Sequence, residues 1–358
     1  MLKTELTRIL EIQYPIFQAP MAGGPATPRL AAAVSNAGGV GSLGAGYLTP
    51  EQIRSAVRET GRLTDRPFGV NLFVPEEANT PKEAIDGMNA YLDRYRAKLG
   101  VAPGPSISRF AESFEEQVQV LLEEKLPVFS FTFGIPSREV IEAFKQRGTF
   151  VIGTATTVEE GIRLQAAGVD AVVAQGSEAG GHRGTFATSA ADALIGTMAL
   201  VPQMADHLSV PVIASGGIMD GRGLAASLVL GASAAQMGTA FLTSAESGAH
   251  AAHKRKLLAS QEDSTEITTA YSGKAARGIR TEFMDDMRSY TGTLPDYPIQ
   301  NALTRDIRQA AAQADNPEFM SLWAGQGLRL ARDQRTAAEI VEQTIKQARE
   351  RLSSIRSQ

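Results

Sequence analysis

Ala171-Val172-Val173-Ala174-Gln175-Gly176-Ser177-Glu178-Ala179-Gly180-Gly181-His182-Arg183-Gly184 is the stretch that decides how the chain folds. Four apolar residues run together without alternation, meet a polar residue, and pass into a glycine-rich loop. An uninterrupted apolar run suits a strand buried on both faces, as in a parallel sheet. Seven further runs of this kind are read along the chain, at 14–20, 39–43, 68–73, 127–133, 149–154, 211–215 and 235–242. Segments with helical patterning separate them, among them 29–37, 50–62, 137–146, 158–167 and 221–230. Thr49 is placed to cap the helix over 50–62, with Pro50 in its first turn. Eight strand–helix units predict an α/β fold closed as a (β/α)8 TIM barrel, with an open doubly wound sheet as the alternative.

Two regions fall outside the repeat. Residues 75–109 are too long for one crossover helix, and residues 244–324 follow the eighth strand with few clean strand signals. Both leave from the C-terminal ends of strands, so both are expected to form a cap over the barrel mouth. The barrel itself is then 1–74, 110–243 and 325–358. Over 336–355, apolar residues recur at helical spacing, which predicts a helix packed on the barrel.

Bulk composition narrows the function. The chain has 358 residues, 43% hydrophobic and 21% charged, with a net charge of −4. That balance permits a large core and lacks the positive field that nucleic acid binding needs. No cysteine is present, which excludes disulfides, thiolate nucleophiles and cysteine-based metal sites. The N-terminus lacks an apolar signal core and no run reaches membrane-spanning length, so a cytoplasmic protein is expected.

In a barrel, ligands bind where strands meet the loops that follow them. Those positions carry Met21 after strand one, Asn71 on strand three, Gln175 with Gly180 and Gly181 at strand six, Ser215-Gly216-Gly217 at strand seven, and Gln236-Met237-Gly238-Thr239 at strand eight. Glycines after strands seven and eight predict a phosphate site, because backbone N–H groups can approach closely there. His182 differs from the other three histidines. It sits in a glycine loop at a strand end, placed for proton transfer or for hydrogen bonding to a substrate oxygen. His207, His250 and His253 read as solvated helix residues, and no metal site is expected. Gly39-Val40-Gly41-Ser42-Leu43-Gly44 matches a dinucleotide motif, but a helix precedes it and none opens within it, so it reads as a strand. The role of Glu178 is not legible beyond orienting the loop or pairing with Arg183. Lys274, Arg277, Arg280 and Arg305 in the cap are candidates to attract an anion, with ordinary surface charge the plainer reading of each.

Taken together, these motifs resemble the class I nitronate monooxygenases, formerly called 2-nitropropane dioxygenases. The resemblance spans the chain, through Gln18-Ala19-Pro20-Met21-Ala22-Gly23-Gly24, Asn71-Leu72-Phe73-Val74-Pro75, Phe131-Thr132-Phe133-Gly134, the His182 loop, and Tyr297-Pro298-Ile299-Gln300-Asn301. The His182 loop and the Ser215-Gly216-Gly217 turn are shared with flavin-dependent enoyl-acyl-carrier-protein reductases. The resemblance implies FMN across the mouth. Its phosphate would lie on Gly216, Gly217, Gly238 and Thr239, with Asn71, Gln175, Gly180 and Gln236 near the ring or ribityl chain and Met21 packing nearby. His182 would be catalytic, and Thr132 and Tyr297 would face the substrate. Many relatives carry histidine where this chain has Thr132. The implied reaction is oxidation of a small anionic nitronate, such as propionate 3-nitronate, by O2 to a carbonyl compound and nitrite, through one-electron transfer to flavin. A second copy of the chain is an optional partner. The alternatives are an NAD(P)H-dependent flavin enoyl or quinone reductase and, from another class, a non-catalytic flavin- or phosphate-binding barrel.

Overall fold

The computed structural model describes residues 2–104, 107–332 and 335–356. Eight parallel strands form its centre: β1 Ile16–Gln18, β2 Gly41–Gly44, β3 Phe68–Phe73, β4 Val128–Thr132, β5 Phe150–Ala155, β6 Ala171–Gln175, β7 Val212–Ser215 and β8 Ala234–Met237. Their hydrogen-bonded order is β1-β8-β7-β6-β5-β4-β3-β2. A parallel bridge from Phe17 to Val40 joins the two ends of that order. There Gln18 N donates to Val40 O at 2.8 Å, and Val40 N donates to Ile16 O at 2.9 Å. The ring with its intervening helices is a (β/α)8 barrel, as the repeat of apolar runs predicts.

Side chains on a strand alternate between its two faces, and here the inward set changes character along the strand. Phe17, Val40, Val128, Ile152, Val173, Ile213 and Ala234 fill the lower interior as one apolar cluster. Leu6, Leu10 and Ile12, in and just after the N-terminal helix Glu5–Ile9, join that cluster and close the barrel floor. Further along five of these strands the inward position is polar: Ser130 and then Thr132 on β4, and Thr154, Gln175, Ser215 and Gln236 two residues above their apolar counterparts on β5 to β8. The outward set, including Val70, Phe129, Val172, Ala214 and Met237, packs under the helices.

Thr49 caps the helix Pro50–Leu63, its hydroxyl accepting from Gln52 N at 3.3 Å while Gln52 reaches back to Thr49 N at 2.9 Å. The dinucleotide-like glycines serve packing. A Cβ on Gly41 would lie 1.9 Å from the Ala31 carbonyl oxygen of the helix Pro28–Asn36, so that helix can rest on β2 only over a glycine. The C-terminal helix Ala337–Arg356 buries Ile340, Val341, Ile345 and Ala348 against the barrel's outer core.

Three features depart from the sequence reading. The run over 235–242 is not one strand: extended backbone stops at Met237, Gly238 turns, and Thr239–Leu242 is a short helix. Residues beyond the eighth strand do contain strands, Thr265–Thr268 and Ala276–Ile279, paired antiparallel. Their four-residue length and the sequence Ala276-Arg277-Gly278-Ile279 hid them. That ribbon also pairs with the short strand Gly181–His182, Ala276 opposite His182 and Arg277 opposite Gly181. The glycine loop is therefore sheet-bound at the histidine.

A second apolar cluster sits above the mouth. It joins Met88, Leu92 and Tyr95 of the helix Lys82–Lys98 to Leu257, Phe283, Ile299, Ile307 and Phe319. Arg96, 1% exposed, ties the same two regions, donating to Asp93 and Asp306 at 2.7 Å each and to the Leu303 carbonyl at 2.9 Å. No helix among the described residues is long and apolar enough to cross a membrane.

Candidate active site

The loop that follows β6 is held from several directions. The Gln175 carboxamide spans it, Nε2 donating to the His182 carbonyl at 3.0 Å and Oε1 accepting from Gly184 N at 2.8 Å. Arg183 turns inward, is 1% exposed, and donates to the carbonyls of Gly176 at 2.7 Å and Gln175 at 2.9 Å. Burial pushes its guanidinium down to about 10, still cationic at neutral pH. Arg277 donates to the Ser177 carbonyl at 2.9 Å from the ribbon side. Glu178 does not pair with Arg183. Its carboxylate accepts from Thr197 N and Oγ1, at 2.9 Å each, at the start of the helix Thr197–His207. An anion at a helix N-terminus is favoured there by the unpaired N–H groups and the macrodipole.

This bracing presents His182 to a cavity of about 720 Å³ at the barrel mouth. The volume falls within the range of ligand sites. Met21, Asn71, Thr132, Gln175, Gly180, Gly181, His182, Ser215, Gly216, Gly217, Gln236, Gly238 and Thr239 all line it. Two residues expected there do not. Met237 is fully buried in the outer core, because the residue after inward-facing Gln236 must point outward. Tyr297 stands behind the wall, its ring centroid 6.0 Å from the imidazole.

The imidazole lies among aromatic rings, with centroids of Trp323 at 5.4 Å, Phe133 at 5.7 Å and Phe73 at 6.4 Å. Its Nε2 is 2.8 Å from Ser272 Oγ. Burial, followed by the positive charges of Lys274 and Arg308, pushes its pKa down to about 3. The ring is therefore neutral at physiological pH.

Among the four cap cations singled out from sequence, only Arg305 reaches the cavity wall. Lys274 is paired with Glu76 at 2.7 Å, its ammonium 4.7 Å from the centre of the Phe133 ring. Arg277 is buried against the loop, and Arg280 pairs with Glu266 at 3.3 Å. Sequence reasoning passed over Arg308, a half-buried cavity residue that donates to Asn301 O at 2.7 Å and Oδ1 at 2.9 Å. It has no carboxylate partner among the described residues. It also passed over Ser272 and the aromatic wall, although the single tryptophan, Trp323, was a visible signal.

His253 corrects another expectation. It is 6% exposed rather than solvated, and burial pushes its imidazole down to about 4. No group of three or more metal-ligating side chains occurs among the described residues. The two imidazoles with lowered pKa, buried His253 and partly buried His182, give a pH prediction. An unfolded histidine titrates near 6.5, so the unfolded chain binds more protons than the folded one below that pH. Stability is expected to fall as pH drops from 6.5 toward 4, by about 1.4 kcal/mol per pH unit for each histidine. Urea midpoints at pH 7.5 and 5 test this, and a flat profile would contradict it. His253→Gln should reduce the slope.

The chain matches the nitronate monooxygenase family over residues 3–347. It is 48% identical over 355 residues to a probable nitronate monooxygenase of Staphylococcus haemolyticus, covering 98% of this chain and 99% of that one. A solved nitroalkane oxidase from Streptomyces ansochromogenes superposes with a TM-score of 0.90 at 41% identity, over 98% of this chain and 99% of its own. FabK from Thermotoga maritima superposes less closely, at 0.79 and 33% identity, over 100% of this chain and 99% of its own. A complete (β/α)8 barrel, a braced histidine at its mouth and near-full-length identity of this level together place the chain in the nitronate monooxygenase family of oxidoreductases.

Proposed function

We propose that this chain oxidises small alkyl nitronates with O2 to a carbonyl compound and nitrite, using FMN. The observation that carries this reading is a neutral imidazole, His182, held in the wall of a cavity whose nearby cations include one with no carboxylate partner, Arg308.

The residues present fit the cofactor. Gly216 and Gly217 take left-handed backbone, φ +116° and +71°, in the turn after β7. A side chain there would be strained and would crowd the approach of a phosphate. With Gly238 and Thr239 they would hold the phosphate end. Asn71 and Gln236 donate through their amide nitrogens to Ser130 and Ser215, at 3.0 and 3.5 Å. Their side-chain oxygens, Oδ1 and Oε1, without a protein partner among the described residues, suit the N–H edge and hydroxyls of a flavin. Met21, Gly180 and Gly181 complete that wall. Bound FMN would supply single-electron exchange with substrate and O2.

The chain's own residues bind, orient and move protons. Arg308, with Arg305 at the edge, supplies positive potential for an anionic nitronate in a cavity where dielectric screening is low. Thr132 and the aromatic side chains of Phe73, Phe133 and Trp323 limit substrate size and exclude water. His182 presents an uncharged nitrogen to the cavity, able to hydrogen bond a nitronate oxygen or to take a proton from a neutral nitroalkane, the negative charge of the nitronate so formed offsetting the imidazolium. Tyr297 acts from behind by packing against the imidazole.

An aerobic assay with propionate 3-nitronate, run with and without NAD(P)H, tests the reading. Oxygen uptake and nitrite release are expected without any nicotinamide. Absence of turnover on every small nitronate by flavin-loaded protein would overturn it. Rapid reduction of the flavin by NADH or NADPH would favour a reductase instead.

A further inference from the structure

Ser272 lies in the cap, far from the glycine loop in sequence, yet its hydroxyl meets the catalytic candidate. The residue is 1% exposed. Its position is set by a tight turn in which Ser272 N and Gly273 N both donate to the Thr269 carbonyl, at 3.2 and 2.8 Å. The following residues enter the strand Ala276–Ile279, which is paired with Gly181–His182. Ribbon pairing and turn thus place Ser272 Oγ against His182 Nε2 at 2.8 Å.

The hydroxyl has three neighbours and one proton. Besides His182 Nε2 it faces the Lys274 carbonyl at 3.1 Å, which can only accept, and Lys274 N at 3.3 Å, which can only donate. If the hydroxyl donates to the carbonyl, it must accept from the imidazole, and every group around it is satisfied. If it donates to the imidazole instead, the carbonyl loses that hydrogen bond. Nδ1, which has no protein partner among the described residues and is not one of the buried unpartnered atoms, is left to face the cavity that His182 lines. Buried polar groups are seldom left unpaired, which favours the arrangement that keeps the carbonyl bonded.

We propose that Ser272 is a positioning residue that fixes His182 in its Nε2–H tautomer, with Nδ1 the nitrogen that exchanges protons with substrate. The relay runs from Nε2–H to Ser272 Oγ, and from the Ser272 hydroxyl to the Lys274 carbonyl. The Nδ1 lone pair then accepts a proton from the α-carbon of a neutral nitroalkane, whose C–H electron pair stays on the substrate as nitronate. The histidine becomes imidazolium, and Nε2 remains bonded to Ser272 throughout. Orientation of a catalytic imidazole through its second nitrogen is a general requirement for productive proton transfer. This inference rests on the role proposed above for His182, but its first test does not use turnover.

Nitrogen-15 NMR of flavin-loaded protein labelled at its four histidines reads the tautomer directly. His182, assigned through the spectrum of His182→Asn, is expected to show a protonated Nε2 and an unprotonated Nδ1 between pH 6 and 8. A protonated Nδ1 would overturn the proposal whatever the enzyme oxidises. Ser272→Ala should give a mixture of tautomers and lower kcat on neutral nitroethane by about tenfold or more, with flavin content kept. Ser272→Thr, which retains the hydroxyl, should restore the single tautomer and most of kcat. Unchanged tautomer and kcat in Ser272→Ala would also overturn the proposal, and if that variant does not fold the wild-type spectrum still decides. Failure of the nitronate assay together with the expected spectrum would count against the proposed function while leaving the tautomer assignment standing.

Discussion

His182→Asn is expected to lower turnover by roughly 10²–10⁴-fold, the usual contribution of a positioned general acid or base. Asparagine is shorter, its carboxamide ending near the Nδ1 position and short of the Nε2 that meets Ser272 Oγ. It has no basic nitrogen, so proton exchange with substrate ends. Flavin should stay bound, because the phosphate-end glycines and the Asn71 and Gln236 side chains lie elsewhere on the wall. The measurement is kcat with nitroethane and propionate 3-nitronate, alongside flavin absorbance of the purified variant. A larger loss on neutral nitroethane than on the preformed nitronate would mark proton abstraction as the histidine's task. Wild-type rates on both would remove His182 from the mechanism. The low pKa of the imidazole adds a sign: it is neutral above about pH 3, so no loss of rate on protonating this histidine is expected between pH 8 and 5.

The second large effect concerns stability. Glu160 is fully buried in the helix Val158–Ala166 and is the end point of five hydrogen bonds. Its carboxylate accepts from Thr156 N and Oγ1 at 2.7 Å each, Thr157 N at 3.2 Å, Phe186 N at 2.6 Å and Ala187 N at 2.9 Å. The last two belong to the segment just after the His182 loop, so one side chain fastens that segment to the barrel. Glu160→Ala strands buried donors and is expected to cost about 3–5 kcal/mol, the range for breaking a buried charged network. Glu160→Gln should recover little, since its amide NH2 would face N–H groups where an oxygen now accepts them. Denaturant midpoints measure the loss. Flavin affinity should fall with it, because the loop carrying Gly180 and Gly181 loses its downstream anchor. A change below about 1 kcal/mol would show that these donors find other partners.

Much of the barrel was legible because its physics is local. Apolar runs such as 171–175 and 211–215 mark strands buried on both faces, and Thr49 with Pro50 marks a helix start through capping geometry alone. The mouth was legible for the same reason. Polar residues at strand ends, as in Gln175, Ser215 and Gln236, must be at the barrel's open end, where the interior is no longer apolar. Met237 was misplaced despite a rule available in the sequence: neighbouring strand residues face opposite ways, so Gln236 and Met237 cannot both face the cavity.

The surroundings of His182 were of another kind. Its hydrogen-bond partner is 90 residues away, on a turn whose strand is too short to announce itself. Glu178 meets Thr197, Arg308 arrives from a cap helix, and Trp323 enters from a segment with no regular pattern. By itself the sequence determined the repeat, the polar rim and the one histidine on a glycine-rich strand end, because periodicity, capping and burial act between near neighbours; closure of the ring rests on the Phe17–Val40 pairing. Only the tertiary structure decided that this histidine is sheet-bound, neutral and held by a serine. Those properties depend on distances between segments far apart in sequence, His182 meeting Ser272, the strand Ala276–Ile279 and Trp323 only in the folded chain, and no local pattern encodes them.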